Sequence, residues 1–401
     1  MREINPPNID GILGMEVYKS KTLGIGGKIK EIPEDFIVEE ITPKGEVLEV
    51  DKESKIKIEE GLEYGEYIYL TLQKRNWSTL RAIKELSKRL RISRRRIGFA
   101  GTKDKRALTT QRISIWKKSI DDIKNISLRD IKLKDFGYSD RRINLGDLKG
   151  NRFIIVIRDI ELSKEEIKHR LDRINNELRS GFPNFFGVQR FGTKRPITHI
   201  VGREIVKGNI KNAVMTYLTK YFEGESSEVI NARIFLRETE DFEEAIKRFP
   251  MHLEYEHSIL NYLIKNRNDF KGALRQLPVE LGKMFVHAYQ SFIFNKALSF
   301  YIKEEIEVEK LPLVGYKSKV DEVTSKIIED EGVSKDDFRI REMPEMRSKG
   351  GIRDSFVVPD DFHIVEISSD NLNQNKNMLK IKFSLPKGSY ATSLLREFMK
   401  I

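Results

Sequence analysis

The sequence predicts an α+β protein in which a strand-rich region is interrupted by a mainly helical one. Segments rich in β-branched and aromatic residues dominate the first third of the chain. Helical periodicity takes over near Arg195, and strand-like segments return at Phe356–Ile367 and Leu379–Leu385. Strands at both ends around a helical middle indicate a domain with a second one inserted into it. We expect the first domain to comprise residues 1–194 and 346–401, and the insert to span residues 195–345.

The first predicted elements are strands. Lys28–Ile41 fits two short extended pieces with Phe36 and Val38 on one face. Tyr67–Leu72 is rich in aromatic and β-branched residues and fits a further strand, which we expect to end in a turn at Lys74–Asn76.

Caps and periodicity predict the elements that follow. A helix is expected after a cap at Ser78 or Thr79, and its apolar stripe would consist of Leu80, Ile83, Leu86 and Leu90. Later elements are strands at Gln111–Trp116 and Arg152–Ile157, a charged amphipathic helix at Ser163–Ser180, and a buried helix at Met284–Tyr301.

Composition narrows the function. The 401-residue chain has no cysteine, which excludes thiol nucleophiles and cysteine-ligated metal centres and fits a reducing compartment. Its 73 Lys and Arg against 62 Asp and Glu leave a formal charge of +11, which favours a polyanionic partner such as nucleic acid. No segment resembles a signal peptide or approaches the ~20 apolar residues of a membrane span. We therefore expect a cytoplasmic protein without a membrane partner.

The segment Gly98–Gln111 carries the most informative chemistry. Its glycines and short polar residues predict a tight loop between a basic helix and a strand. Asp104 lies among Lys103, Lys105 and Arg106, and nearby cations favour the ionised carboxylate. An ionised carboxylate suits a nucleophile or an electrostatic stabiliser better than a general acid. Spacing alone leaves open an aspartate that only caps a turn and offsets local charge.

A second candidate segment, Pro183–Gly192, interleaves three phenylalanines with Asn184, Gln189 and Arg190. Aromatic faces stack on unpaired bases, while amides and guanidinium groups contact base edges or phosphates. A hydrophobic loop that fills the core is the alternative interpretation.

Two basic groups could bind phosphates. Lys88–Arg96 has six cations in nine residues, including Arg94, Arg95 and Arg96. The second group surrounds the glycines of residues 145–153 and consists of Arg141, Arg142, Lys149 and Arg152. A solvated helix end explains the first group equally well, and an ordinary turn explains the second.

Other catalytic patterns are missing from the sequence. It has no Gly-x-x-x-x-Gly-Lys-Ser/Thr loop for phosphate binding and no Gly-x-Ser-x-Gly nucleophile elbow. The glycines of residues 24–27 precede a strand, which is the wrong context for a dinucleotide fold. The six histidines are scattered without the spacing of a metal site.

Six segments of the chain resemble the TruD family of tRNA pseudouridine synthases. Ala100–Gln111 closely resembles the family's catalytic motif. The other five matches follow the family's order and span most of the chain: Pro33–Glu40, Leu145–Phe153, Asn184–Gly192, Ala288–Asn295 and Phe383–Glu397.

The resemblance implies an isomerase that converts a uridine in tRNA, expected at position 13, into pseudouridine after flipping the base. It implies no cofactor and no metal, and we expect a monomer. The implied fold is a pseudouridine synthase domain with a mixed, mostly antiparallel sheet, together with an inserted TruD-specific α/β domain. The insert would follow the Asn-Phe-Phe-Gly segment, where the character of the sequence changes.

The resemblance also implies roles for individual residues. The catalytic aspartate falls on Asp104, and a lysine expected near it falls on Lys30. The aromatic residue that stacks on the target base falls on Phe186, and the asparagine that supports the site falls on Asn184. Phe36 is expected to wall the pocket.

Two other classes remain to be distinguished. A non-catalytic RNA-binding relative would lack the aspartate, whereas Asp104 is present. An RNA glycosidase or nuclease would need a second acid or a metal cluster near Asp104, which the motif does not offer.

Overall fold

The computed structural model describes residues 6–53 and 65–401 and divides the chain into two compact units. The first unit consists of Phe182–Phe356 with the described part of Met1–Lys21. The second consists of Val357–Ile401 with the described parts of Thr22–Gly181. The predicted insert, 195–345, lies wholly inside the first unit, which extends further at both ends.

Strands and helices alternate in the second unit, whereas helices dominate the first. The strands are β1 (Lys28–Ile29), β2 (Phe36–Ile41), β3 (Tyr67–Arg75), β4 (Ile97–Phe99), β5 (Leu108–Trp116), β6 (Ile131–Ser139), β7 (Gly150–Ile160), β8 (Phe182–Pro183), β9 (Lys310–Leu313), β10 (Gly351–Asp354), β11 (Phe356–Val357), β12 (Asp360–Ser369) and β13 (Asn377–Pro386). The helices are α1 (Asn8–Ile12), α2 (Thr79–Arg89), α3 (Ile120–Lys124), α4 (Lys164–Glu177), α5 (Thr198–Val206), α6 (Ile210–Thr219), α7 (Ser227–Thr239), α8 (Phe242–Arg248), α9 (Glu254–Lys265), α10 (Phe270–Leu274), α11 (Val279–Lys303), α12 (Glu322–Asp330) and α13 (Ala391–Met399).

Within the described residues, the second unit contains a nine-stranded mixed sheet. Its main path runs β12-β13-β7-β2-β5-β3-β6, with β1 on β7 and β4 on β5. The pair β2–β5 is parallel and every other pair is antiparallel. The predicted α+β class with a mixed, mostly antiparallel sheet is thus confirmed.

The C-terminal strand β13 closes this sheet against a strand from the first half of the chain. It pairs with β7 over most of its length, with Phe383 opposite Phe153. These two rings stack with centroids 5.4 Å apart, and both are buried. The sheet therefore needs both sequence segments of the unit.

Helix α2 covers part of the sheet and begins where the cap predicts. The Ser78 hydroxyl accepts a hydrogen bond from the Arg81 amide. The predicted apolar stripe was wrong at Leu80, which is 60% exposed. The buried stripe runs through Ala82, Ile83 and Leu86, and Leu80 lies about 100° around the helix from its centre.

Two predicted boundaries also differ in the structure. Strand β3 continues through Lys74 to Arg75, because Lys74 pairs with Thr109 of β5 and Ile131 of β6 where a turn was expected. The helix predicted at Met284–Tyr301 is the central part of the longer α11.

The first unit is built around α11, as its apolar composition predicts. Phe285, Tyr289 and Phe294 are buried in this helix, and helices α5 to α10 contribute to the same core. Strands β9 and β10 form a two-stranded antiparallel sheet beside these helices. Although α11 has 25 residues, neither it nor another helix in the described ranges is long and apolar enough to cross a bilayer.

A buried ion cluster joins the turn before β2, the strand β7 and the residue after β12 within the sheet unit. Arg158 donates hydrogen bonds of 2.8 Å to both Asp35 and Asp370, and the three side chains are at most 6% exposed. Burial by itself would raise the pKa of Asp370. Hydrogen bonds from the Asp159 amide, Asn373, other donors and Arg158 outweigh burial and hold this pKa below its ordinary value.

We expect Asp370→Asn to destabilise the sheet unit by about 3–5 kcal/mol, because it leaves the buried Arg158 short of one charge. The folded state favours the anion of Asp370, so this stabilisation is present above pH ~4 and is lost as the pH falls further. Urea unfolding between pH 7 and pH 3 measures both effects, with the exposed Glu366→Gln as control. Equal midpoints for Asp370→Asn and the wild type would contradict the role given to the cluster.

Candidate active site

Asp104 lies on the loop between β4 and β5, at the centre of the sheet unit. Strand β4 pairs with the far half of β5, with Gly98 opposite Ser114. The chain must therefore turn back over residues 100–107 before β5 begins. Because β5 lies between β2 and β3, this loop lies at the end of a central strand. The loop predicted from the glycines and short polar residues is confirmed.

The structure brings Lys30 to the Asp104 carboxylate. Lys30 Nζ lies 3.1 Å from Asp104 Oδ2, and the two side chains are 18% and 37% exposed. The pair is thus shielded on one side and open to solvent on the other. Lys30 has φ +62°, a conformation that costs about 1–3 kcal/mol in a residue other than glycine. This local strain accompanies the orientation of its side chain toward Asp104.

Phe36 supports the same ion pair. Lys30 Nζ lies 4.0 Å from the centroid of the Phe36 ring, within the range of a cation–π interaction. The ring is 2% exposed and meets Phe153 edge to face at 6.2 Å. Phe36 therefore forms a buried apolar floor under the ammonium group of Lys30.

Buried polar groups fix the main chain of the Asp104 loop. The Thr79 hydroxyl accepts a hydrogen bond of 2.9 Å from the Lys103 amide and donates one of 2.8 Å to Gln111. Gln111 Nε2 in turn donates to the Gly101 carbonyl at 3.0 Å. The start of α2 and the strand β5 thus hold two points of the loop.

The side chain of Lys103 anchors the loop to β2. Its ammonium lies 2.7 Å from Glu40 Oε2, and both side chains are at most 4% exposed. The other Glu40 oxygen accepts a hydrogen bond from the Arg112 amide. The amide and the ammonium of Lys103 are therefore both hydrogen-bonded within the protein, whereas the side chain of its neighbour Asp104 is partly exposed.

Sequence reasoning did not assign roles to several of these scaffold residues. Glu40 lay inside a segment that resembles the family, and Thr79 was considered only as a helix cap. Lys74 was placed in a turn, but it donates a hydrogen bond to the Asp104 carbonyl. Only the long-range pairing of β2, β3 and β5 brings these residues to the loop.

Asn184 and Phe186 belong to the first unit, unlike Asp104, Lys30 and Phe36. The Asn184 side chain is buried and donates to the Asp354 carbonyl at 2.9 Å. Arg353 of β10 donates to Asn184 Oδ1 at 2.6 Å. The amide group of Asn184 is thus held by a donor and an acceptor that both lie on β10.

The same arginine also contacts Phe186. The Arg353 guanidinium lies 4.0 Å from the centroid of the Phe186 ring, and Phe294 meets that ring edge to face. Phe186 is 6% exposed, and its amide donates to Asn295 Oδ1 at 2.9 Å. The Arg190 guanidinium lies 5.6 Å from the same centroid, so the ring expected to stack on a base has two cations close to it.

The first basic group contains arginines that are exposed and one that is bound to the main chain. Arg94 and Arg95 are exposed on a single 3₁₀ turn after α2. Arg96 instead donates to the carbonyls of Trp116 and Lys117 at the end of β5. Its guanidinium therefore fixes the scaffold, although it stays partly exposed.

The second basic group lies on a loop tied to the Asp104 loop. The Gly146 amide donates to the Ala100 carbonyl at 2.8 Å. On this loop Arg141, Arg142 and Lys149 are exposed. Their charges are thus available to a phosphate close to the residues that precede Asp104.

Arg152 differs from the other members of this group. It lies 2.6 Å from Glu39 and 2.7 Å from Glu49, and its side chain is 13% exposed. Lys52 and Arg152 together lower the pKa of Glu49 to about 2. The charge of Arg152 is therefore balanced within the protein.

A metal centre finds no support in the geometry of the described residues. Across residues 6–53 and 65–401, no group of three or more His, Asp or Glu side chains is placed to hold a metal ion. The expected independence from cofactors and metals stays a prediction.

Comparison with known proteins gives a consistent result over nearly the whole chain. The sequence model of the family "tRNA pseudouridine synthase D (TruD)" matches residues 12–311 and 308–398. A protein of Methanococcoides burtonii named "Probable tRNA pseudouridine synthase D" is 38% identical over 450 residues, covering 99% of this chain and 98% of that protein. A protein of the same name from Methanosarcina acetivorans is 39% identical over 453 residues, covering 100% and 99%.

A solved structure agrees with these sequence matches. A crystal structure from Methanosarcina mazei, assigned to tRNA pseudouridine synthase D, superposes with a TM-score of 0.82. The two chains are 38% identical, and the match covers 99% of this chain and 98% of that one. The chain belongs to the TruD family of tRNA pseudouridine synthases and is an isomerase that converts uridine in tRNA into pseudouridine.

Proposed function

We propose that Asp104 is the catalytic residue of this isomerisation and acts on a uridine flipped out of the tRNA, expected at position 13. The observation that carries the proposal is the ion pair between Asp104 and Lys30 on the loop beside β5. The carboxylate is reachable from solvent, has a cation as partner, and belongs to a loop fixed by buried hydrogen bonds.

The reaction requires an ionised carboxylate in either of two routes. In the first, Asp104 attacks C1′ as the N1–C1′ bond breaks and the uracil leaves with the electron pair. After the base turns, C5 attacks C1′ and releases the carboxylate. In the second, Asp104 removes the C2′ proton as the uracil leaves, and a glycal forms; after the base turns, C5 bonds to C1′ and Asp104 returns the proton to C2′. In both routes C5 finally loses its proton and N1 gains one, so that the product is an isomer.

Lys30 would hold the carboxylate in a fixed orientation. Its ammonium group lies 3.1 Å from a carboxylate oxygen, within hydrogen-bonding distance. Because one side of the pair is buried, solvent screens this attraction less than on an open surface. Phe36 keeps the ammonium in place from below.

Base flipping would require a surface that receives the uracil. Extruding a stacked base costs roughly a few kcal/mol, and stacking on an aromatic ring offsets part of this cost. We assign this ring to Phe186, with Asn184 as its support. Because the guanidinium groups of Arg353 and Arg190 lie 4.0 Å and 5.6 Å from the ring centroid, the uracil uses a part of the ring that they leave open or displaces one of them.

The tRNA backbone would be held by the exposed cations. Arg94, Arg95, Arg141, Arg142 and Lys149 present charges to solvent. Arg96 and Arg152 were predicted to bind RNA as well, but their guanidinium groups have protein partners. We expect these two to contribute less. We expect the chain to act on tRNA as a cytoplasmic monomer without a cofactor.

We expect Asp104→Asn to keep tRNA binding and to lower isomerisation by about 10³-fold or more, since the amide can neither attack C1′ nor remove a proton. Mapping carbodiimide-reactive sites in total tRNA after incubation measures the product. The exposed Asp121→Asn serves as control and should behave as wild type. Residual activity of Asp104→Asn near the wild-type level would remove Asp104 from this role.

We expect Phe186→Ala to reduce turnover and to weaken trapping of a tRNA that carries 5-fluorouridine, because the flipped base loses its stacking surface. Phe185→Ala is the matched control, since this neighbour is also buried but has no assigned role. Comparable thermal unfolding of the two variants with turnover lost only in Phe186→Ala supports the assignment. Unchanged turnover in Phe186→Ala contradicts it.

Replacing Arg141 and Arg142 together by alanine should weaken tRNA binding and lower the slope of log affinity against log salt by about 2. Fluorescence anisotropy over a salt series measures this slope. Arg152→Met is the matched comparison. Its guanidinium is already neutralised, so we expect a loss of stability and little change in slope. Equal slopes for all three proteins would exclude this loop as a phosphate-binding site.

A further inference from the structure

Lys74 is a buried lysine whose ammonium group contacts the loop that carries Asp104. It lies in β3 and is 0% exposed. Nζ donates hydrogen bonds of 2.8 Å to the Asp104 carbonyl and 2.5 Å to the Trp77 carbonyl. Both of these hydrogen bonds end on main-chain carbonyls, and neither ends on a carboxylate.

Packing alone does not account for an ammonium at this position. The buried Lys103, a neighbour in space, has the Glu40 carboxylate as a direct partner. Burying a charge without such a partner is costly, and an uncharged side chain of similar length, such as methionine, would fill the same space without this cost. We therefore look for the role of this ammonium in the residue that it contacts, Asp104.

The contact supplies a third anchor for the loop. Thr79 holds the Lys103 amide and Gln111 holds the Gly101 carbonyl, whereas Lys74 holds the main chain of Asp104 itself. A reactive side chain must be held within about 0.5 Å of its productive position. Lys74 holds the main chain of Asp104, which is the residue whose position must be this precise.

We propose that Lys74 is a positioning residue for the isomerisation, whose buried ammonium fixes the main chain of Asp104. The proposal rests on the catalytic role proposed for Asp104. Since Lys74 is fully buried, it acts through Asp104 and does not touch the RNA.

The charge of Lys74 depends on pH in an accessible range. Burial lowers its pKa to about 8, although the Asp104 carboxylate opposes this change; the nearby Lys103 ammonium adds to it. Of the other charged groups nearby, Glu40 forms an ion pair with Lys103, and Lys30 forms one with the Asp104 carboxylate. Lys74 is thus charged at neutral pH and loses its proton above pH 8. A neutral amine donates weaker hydrogen bonds to the two carbonyls than the ammonium does, so the main chain of Asp104 is held less firmly.

The expected fall in the rate above pH 8 is not accompanied by a fall in stability. The contribution of Lys74 to the free energy of unfolding should instead rise over this pH range. The pKa of Lys74 is lower in the folded state than its ordinary value of 10.5, so the unfolded chain binds this proton more tightly. Between about pH 8 and pH 10.5, folding therefore becomes more favourable as far as Lys74 is concerned. A loss of activity from deprotonation of Lys74 is thereby distinguishable from unfolding.

The test measures single-turnover rates and tRNA affinity of the full chain from pH 6.5 to pH 9.5. We expect the wild-type rate to fall above pH 8, while the midpoint of urea unfolding does not fall with it. Lys74→Met should lower the rate at pH 7 by about 10- to 100-fold with unchanged tRNA affinity, because a misplaced reactive group slows chemistry and not binding. The decrease of the rate above pH 8 should be absent in this variant. The exposed Lys84→Met is the control and should retain both the rate and its pH dependence.

The outcomes separate this proposal from the proposed function. If Asp104→Asn is inactive while Lys74→Met has the wild-type rate and pH dependence, the role of Lys74 is refuted and that of Asp104 stands. If Asp104→Asn is active, both fail. Should Lys74→Met not fold, the wild type still decides the matter. A rate that stays constant up to pH 9.5, or one that falls together with the unfolding midpoint, overturns the proposal.

Discussion

The ion pair between Lys30 and Asp104 is the interaction on which the candidate site depends. A partly exposed carboxylate on a loop is free to move and to be screened by water unless a partner holds it. Lys30 provides this partner at 3.1 Å, and it does so from a left-handed backbone conformation that disfavours any side chain. The pairing of β1 with β7 and the Phe36 ring under the ammonium keep that conformation in place.

The acidic residues of β2 and the turn before it organise the surrounding scaffold. Asp35 pairs with Arg158, Glu39 with Arg152, and Glu40 with Lys103. Arg158 and Arg152 come from β7, and Lys103 comes from the Asp104 loop, which leads into β5. Strands β7 and β5 are the two neighbours of β2 in the sheet. Removing one partner of such a buried pair leaves an uncompensated charge, so each pair strongly disfavours other arrangements. The same interactions explain why Arg152 is less available to RNA than its sequence neighbours.

The two units receive their segments from distant parts of the sequence. The chain leaves the sheet unit after Gly181 and returns at Val357, and only then can β13 pair with β7. The Asp104 loop therefore depends on a sheet that is complete only when the C-terminal strands have been added. Asn184 and Phe186 are fixed by Arg353 and Asn295 within the other unit. Each group of predicted site residues thus has its own local scaffold.

The sequence by itself determined the α+β class, the helical middle, the loop around Asp104 and the family resemblance, because these follow from local periodicity, caps and short motifs. It misplaced Leu80 on a buried stripe and Lys74 in a turn, since both depend on which neighbouring element covers a residue. The sequence also did not show that Arg141 is exposed whereas the charge of Arg152 is balanced by two carboxylates. Only the tertiary structure decided which cations have carboxylate partners, because such partners lie far away along the chain, 113 residues for Arg152 and Glu39 and 212 for Arg158 and Asp370, and meet through strand pairing.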